Sequence, residues 1–287
     1  MGKVRVVTDS TADIPDALMR EWGIAMVPLL VNFGAESYRD RVDITHQQFM
    51  ERLAASKVLP TTSQPSPGQF EEEYRRLAGE GAEGIVSLHI SERLSGTVGA
   101  ARLAAEAVAD VVPVEVVDSR SVSLGLGFMA LEAARGAREG ADLATAVAAA
   151  QRMIPNTHII FFADTLEYLQ KGGRIGRAAA IAGSILALKP LMRIDEGVVV
   201  PHERTRTRSK AIDGLVKFVN DFPRVKRLGV LKSGDADLEP LLDRLAPRFP
   251  RDTILVTEVS PVIAVHLGPG ALGCIVDASN GVTGELR

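Results

Sequence analysis

Hydroxyl residues gather at one corner of the chain. The run Ile85-Val86-Ser87-Leu88-His89-Ile90 is rich in β-branched and long apolar side chains and stops at Ser91-Glu92-Arg93-Leu94-Ser95-Gly96-Thr97. Leu94, Val98, Ala101, Ala105 and Val108 then recur at helical spacing, so the stretch reads as strand, short loop and helix. In open α/β sheets ligands lie outside the carboxyl ends of the strands, where N–H groups at a helix start receive an anionic or polar group. Ser95 and Thr97 stand at that place. Ser95 would also serve as a nucleophile if a base lay within hydrogen-bond reach, and His266 is the base to consider. No Gly-x-Ser-x-Gly elbow surrounds Ser95, and the same pair could equally bind a carboxylate.

Other candidate groups carry weaker signals. Asp9, Asp118 and Asp164 each lie near a strand end, where carboxylates bind metals or move protons, but none has the partner spacing of a metal motif. Loop bracing and helix capping is the simpler role for them. His46, His89, His158, His202 and His266 are scattered without zinc-ligand spacing. Gly125-Leu126-Gly127 loosely fits a dinucleotide fingerprint, but it starts several residues past a strand end and lacks the downstream acid at the usual spacing. Gly172-Gly173-Arg174-Ile175-Gly176 has no Gly-Lys-Ser or Gly-Lys-Thr, which sets aside a P-loop. Arg174, following a helix end, is expected to be exposed. The run from Arg204 to Lys210 carries no interleaved aromatics and is better read as a solvated face or docking patch than as a nucleic-acid surface.

A chain of 287 residues, 46% of them apolar, exceeds the size at which one core usually stops growing, so two domains are expected. A net charge of -3 with interspersed signs points to neither nucleic acid nor an anionic membrane. The single cysteine, Cys274, fits a reducing cytoplasm. The amino terminus enters an apolar strand without signal-peptide organisation, and no apolar run is long enough to cross a bilayer.

Along the chain, apolar strands end in Thr8-Asp9-Ser10 and in Asp118-Ser119, with a second strand expected over 24–31 and a helix starting near Asp43-Ile44-Thr45. The stretch 60–68, with three prolines and four hydroxyl residues, must be a loop or linker. Two Ala-rich helices fill 124–153, divided near Glu139-Gly140-Ala141-Asp142. Alternating strands and helices imply right-handed crossovers and a mostly parallel sheet. A second domain is expected from about residue 159. It includes a helix with a Gly172-Gly173 cap, an apolar helix over 178–188, a strand pair across Asp195-Glu196-Gly197, and strands over 228–231 and 254–259.

Several stretches together resemble the DegV family: Val7-Thr8-Asp9-Ser10-Thr11-Ala12-Asp13, Thr62-Ser63-Gln64-Pro65-Ser66, Leu94-Ser95-Gly96-Thr97, Leu169-Gln170-Lys171-Gly172-Gly173-Arg174-Ile175 and Arg206-Thr207-Arg208-Ser209-Lys210-Ala211. They fall in the family's order over nearly the whole chain. The resemblance implies an α/β protein of two domains. Residues 1–158 would form a mostly parallel, Rossmann-like α/β domain and 159–287 an α/β (α+β) domain. The ligand pocket would lie between them, with the Thr61 to Gly68 loop near the interface.

It further implies a cytoplasmic, non-catalytic carrier that buries a long-chain fatty acid such as palmitate and presents it to the ATP-using subunit of a bacterial fatty acid kinase. No cofactor, metal or nucleic acid is implied. Thr62, Ser95 and His266 would hold the carboxylate, and the Thr61-Thr62 doublet leaves open which of the two threonines faces the ligand. Arg174 and Arg206 would engage the kinase subunit. The charged pair Glu92-Arg93 departs from the small residues of the family pattern. The competing readings are a serine-dependent acyl hydrolase using Ser95 and His266, and a nucleotide-binding regulatory module using the Gly125 and Gly172 loops.

Overall fold

The computed structural model describes residues 3–182 and 189–278. β1 (Val4–Asp9) and β2 (Ile24–Val27) pair in parallel. β3 (Leu30–Phe33), β4 (Glu36–Arg39) and β5 (Thr61–Ser63) form a separate antiparallel sheet in the order β4-β3-β5. β6 (Gly84–His89) and β7 (Val114–Asp118) complete the first sheet, which is parallel throughout and runs β2-β1-β6-β7. Every residue of β6 is buried, as a continuous apolar run in a sheet covered on both faces requires.

β8 (Thr157–Phe162), β9 (Leu191–Asp195), β10 (Val198–Glu203), β11 (Arg227–Lys232), β12 (Ile254–Glu258) and β13 (Leu272–Asp277) build a six-stranded sheet in the order β10-β9-β8-β13-β11-β12. β11 and β12 pair in parallel and the other neighbours antiparallel, which gives this half its α+β character. The expected division at 158/159 falls inside β8, the first strand of this sheet.

Two local expectations change. The run 24–31 is two strands in two different sheets, because Pro28 offers no N–H to continue a ladder and the chain turns there. The stretch 60–68 contains a short edge strand, β5, before Ser66 caps the helix Pro67–Gly79 with a reciprocal capping box to Gln69. The apolar stretch after 260 forms the helix Pro261–Leu267, capped by Ser260, and then β13, which inserts at the centre of the second sheet. The apolar helix expected over 178–188 is described at Ala179–Ala182, and its remainder lies outside the described residues.

The helix Leu124–Arg138 lies between the two large sheets and is buried on nearly all sides from Leu124 to Ala134. Its glycines serve close packing. A Cβ on Gly125 would come 2.8 Å from Ile159 of β8, and one on Gly127 would come 2.6 Å from the Ala12 carbonyl oxygen. Neither glycine faces the open space a pyrophosphate would need. At the far end of the helix Glu132 accepts from Arg227 of β11 and from Arg135, with Lys226 3.5 Å away. Burial disfavours the Glu132 carboxylate, but these cations prevail and hold its pKa down to about 2. Among the described residues no helix is long and apolar enough to cross a membrane.

Candidate functional site

A cavity of about 390 Å³ lies between the two large sheets. Ile159 and Phe161 of β8, Ile194 of β9 and Val199 of β10 form one wall, and Ile90 and Val122, just past the ends of β6 and β7, form another. Val262, Ile263, His266 and Leu267 line it along the helix Pro261–Leu267, at the spacing that puts side chains on one helical face. The β9–β10 hairpin turns through Glu196 and Gly197, both at positive φ, as a two-residue hairpin loop requires. Ser91 Oγ donates to the Gly197 carbonyl at 2.9 Å, fixing that tip against the first half of the molecule.

Polar groups from four distant segments form one contiguous cluster in this mostly apolar cavity. Thr62 lines it from the middle of β5, whose alternation leaves Thr61 exposed. Thr62 Oγ1 and His266 Nε2 are 3.0 Å apart. His266 Nδ1 is buried against Gly172 and has no hydrogen-bond partner among the described residues. Burial, followed by the Arg174 guanidinium, depresses the His266 pKa to about 4, so the ring is neutral near pH 7. Ser95 also lines the cavity. Its Oγ lies 2.8 Å from the hydroxyl of the fully buried Thr97, which fixes its orientation from behind.

Arg174 is half-buried rather than exposed. The Gly173 residue, at φ +70°, turns the chain so that Arg174 lines the cavity, donating from Nε to the Leu94 carbonyl at 3.0 Å and from Nη1 to the Gly172 carbonyl at 2.9 Å. It thereby ties the Ser95 loop to the Gly172 turn. Arg206 is exposed between β10 and the helix Arg208–Asn220, outside the cavity lining. The rest of that arginine run has structural contacts: Thr207 caps the helix, and Arg208 donates to the Gly270 carbonyl at 2.8 Å with its guanidinium 5.3 Å from the Phe162 ring centre.

Among the described residues Ser95 and His266, the pair a serine hydrolase would use, are not hydrogen-bonded to one another. His266 contacts Thr62, Ser95 contacts Thr97, and no carboxylate orients the ring from Nδ1 among the described residues. The strand-end aspartates brace loops: Asp9 accepts from Ile90 N at 2.9 Å and from Thr11 N at 3.0 Å, and Asp118 from Arg120 N at 2.9 Å. Asp164 pairs with Lys189 at 2.5 Å. His89 is fully buried between Asp9 and Ser87, and His46 bridges the Val259 carbonyl and the Gly234 N–H. His158 packs tilted against Phe222, ring centres 4.7 Å apart, and His202 meets Phe218 edge-on at 5.4 Å. Among the described residues no group of His, Cys, Asp or Glu is placed to hold a metal ion.

Two features escaped the sequence reading. Gly172, read only as a helix cap, leaves the room His266 occupies: a Cβ there would lie 2.8 Å from His266 Cε1. Ser123, one residue before the central helix, lines the cavity and donates to Asp13 Oδ2 at 2.6 Å, while Asp13 Oδ1 accepts from Ser260 N at 2.8 Å. Burial raises the Asp13 pKa to about 7, against the lowering influence of Ser123 and Arg41. Asp40 is likewise raised to about 7, by burial first and also by the nearby Asp13.

Comparison with known proteins agrees with this architecture. A family model described as uncharacterised protein, DegV family, matches residues 3–278. A DegV domain-containing protein of Streptomyces coelicolor is 42% identical over 280 residues, covering 96% of this chain and 98% of the relative. The structure of a DegV family protein from Thermus thermophilus, described for its fatty acid binding, superposes with a TM-score of 0.87 at 38% identity, over 96% of this chain and 99% of that one. DegV from Bacillus subtilis, described as a fatty acid binding protein, gives 0.85 at 32% identity over 96% of this chain and 100% of its own. With the fold, the order of its motifs and these matches in agreement over nearly its full length, the chain belongs to the DegV family.

Proposed function

We propose that this protein binds a long-chain fatty acid, with the tail in the cavity between the sheets and the carboxylate among Thr62, Ser95 and His266. The observation that carries this reading is the Thr62 to His266 contact of 3.0 Å inside an otherwise largely apolar cavity. The Thermus thermophilus and Bacillus subtilis relatives, described as fatty acid binding, support it. Burying about fourteen methylenes contributes roughly 11 kcal/mol gross, at about 0.8 kcal/mol each, before ordering costs. A carboxylate is tolerable in such a site only if hydrogen-bonded. Two hydroxyls and a neutral imidazole supply donors without a tight ion pair, which suits a group that must later react.

The protein then acts as a non-catalytic cytoplasmic carrier that presents the carboxylate to a separate ATP-using kinase subunit, which forms the acyl phosphate. Arg206, exposed beyond the cavity, and Arg174, at its wall, are the cations assigned to that partner. The test is reconstitution of acyl-loaded protein with a fatty acid kinase ATP-binding subunit, ATP and magnesium. Acyl phosphate forms only when both proteins are present, and falls in Arg206→Ala without loss of fatty acid affinity. Turnover of acyl esters by the isolated chain, abolished by Ser95→Ala, would instead establish a hydrolase.

A further inference from the structure

The polar lining of the cavity is clustered with one exception. Thr62, Ser63, Gln64, Ser95, Arg174 and His266 belong to the contiguous segments around the proposed carboxylate site. Ser123 comes from a different place, among Val122, Ile159, Val262 and other apolar lining residues. Its link through Asp13 to Ser260 N ties it to the first end of the helix Pro261–Leu267, whereas His266 lies in the last turn. Six residues at 1.5 Å rise separate those ends by about 9 Å along the helix axis. Val262, Ile263 and Leu267 line the cavity on that same helix, so a tail running from His266 along this face reaches Ser123 partway along its length.

The state of the Ser123 hydroxyl says what it can receive there. A serine hydroxyl has one donor and two acceptor sites. With Asp13 ionised the hydroxyl donates to it, and with Asp13 protonated the carboxyl can donate instead; in both states Ser123 Oγ keeps a free acceptor site, since no other protein donor reaches it among the described residues. Ser123 is held at φ +54°, where glycine is favoured, and is almost fully buried. A polar side chain is therefore maintained, in a strained conformation, at the wall of an apolar channel.

We propose that the cavity accommodates long-chain fatty acids bearing a mid-chain hydroxyl, which donates a hydrogen bond to Ser123 Oγ. This rests on the acyl-binding reading above and specifies its substrate class. A plain chain is also accommodated, because a hydroxyl already hydrogen-bonded to Asp13 loses little when its remaining acceptor site meets methylenes. A hydroxyl placed anywhere else along the apolar part of the channel is buried without a partner, which is costly.

The test is competition calorimetry on delipidated protein, with stearate and a series of stearates hydroxylated at successive mid-chain carbons. One position in the series binds within about threefold of stearate and the others bind weaker by about tenfold or more, the cost of an unpaired buried hydroxyl. Ser123→Ala lowers the affinity of the favoured isomer relative to that of stearate, both measured on the same folded variant, by about tenfold. The wild-type series reads the preference even if the variant fails to fold. An equal penalty at every position, or a favoured isomer indifferent to Ser123→Ala in a folded variant, overturns the proposal while leaving acyl binding intact. Failure of stearate itself to bind overturns the acyl-binding reading and this one with it.

Discussion

Thr62 Oγ1 and His266 Nε2 meet at 3.0 Å across 204 positions of chain. That contact joins an edge strand of the small antiparallel sheet to the last turn of a helix between β12 and β13. Its consequence is a sharp distinction between two adjacent threonines. Thr62→Val keeps the shape of the side chain but removes a half-buried hydroxyl that lines the cavity, and fatty acid affinity is expected to fall about tenfold. Thr61→Val, on the exposed side of the strand, leaves affinity within about twofold. Titration calorimetry of delipidated protein with palmitate reads both, and equal losses at the two positions would contradict the geometry.

Gly172→Ala is expected to damage binding without unfolding the protein. The backbone there has φ −75°, which alanine adopts freely, but the added methyl would lie 2.8 Å from His266 Cε1 and must displace the ring. Affinity for fatty acid drops while the melting temperature changes little. A variant that melts well below the wild type, or that binds normally, would show that the ring has room to move.

Asp13 and Asp40 set a pH dependence of stability. Both are buried carboxyls raised to about pH 7, and because they feel one another they titrate as a pair. The folded protein retains protons that the unfolded chain has lost above about pH 4. Stability from this pair is therefore fully present below about pH 4 and declines as pH rises toward about 7. Asp40→Asn, neutral at every pH, should flatten that decline and raise stability at pH 8 by about 1–3 kcal/mol. Urea melts at closely spaced pH values measure the slope, and an unchanged slope in the variant would remove Asp40 from the account.

Glu132 and Arg227 tie the central helix to the second sheet, at 7% and 8% exposure, away from the cavity lining. Removing the carboxylate takes the ion-pair partner from Lys226 and leaves Arg227 with Asp277 alone, 3.7 Å away. Glu132→Ala should cost about 3 kcal/mol of unfolding free energy, read by urea denaturation, with fatty acid affinity of the folded protein unchanged. Little change in stability would mean that water solvates these cations.

Much of the fold is written locally. The period of the Ala-rich segment and its Gly140 break gave two helices where two stand, Leu124–Arg138 and Leu143–Met153. The Asp195-Glu196-Gly197 turn gave the β9–β10 hairpin. What local pattern does not show is set by distant pairing: β13 follows a glycine-rich stretch and becomes a strand by inserting between β8 and β11. The site was less legible still. Thr62, Ser95 and His266 carry no local signal that all three converge, and only the family resemblance joins them. Arg174 looked exposed because the positive-φ turn at Gly173 that folds it onto the Leu94 carbonyl has no counterpart in side-chain periodicity. Ser123 was invisible for the same reason, since its value depends on Asp13, 110 positions earlier.

The central claim is tested most directly by native mass spectrometry of the purified protein, followed by lipid extraction and titration with palmitate and oleate. Bound fatty acid at one molecule per chain, or its uptake after delipidation, is the expected result. Absence of any extracted fatty acid, together with no binding of either added acid, would contradict it.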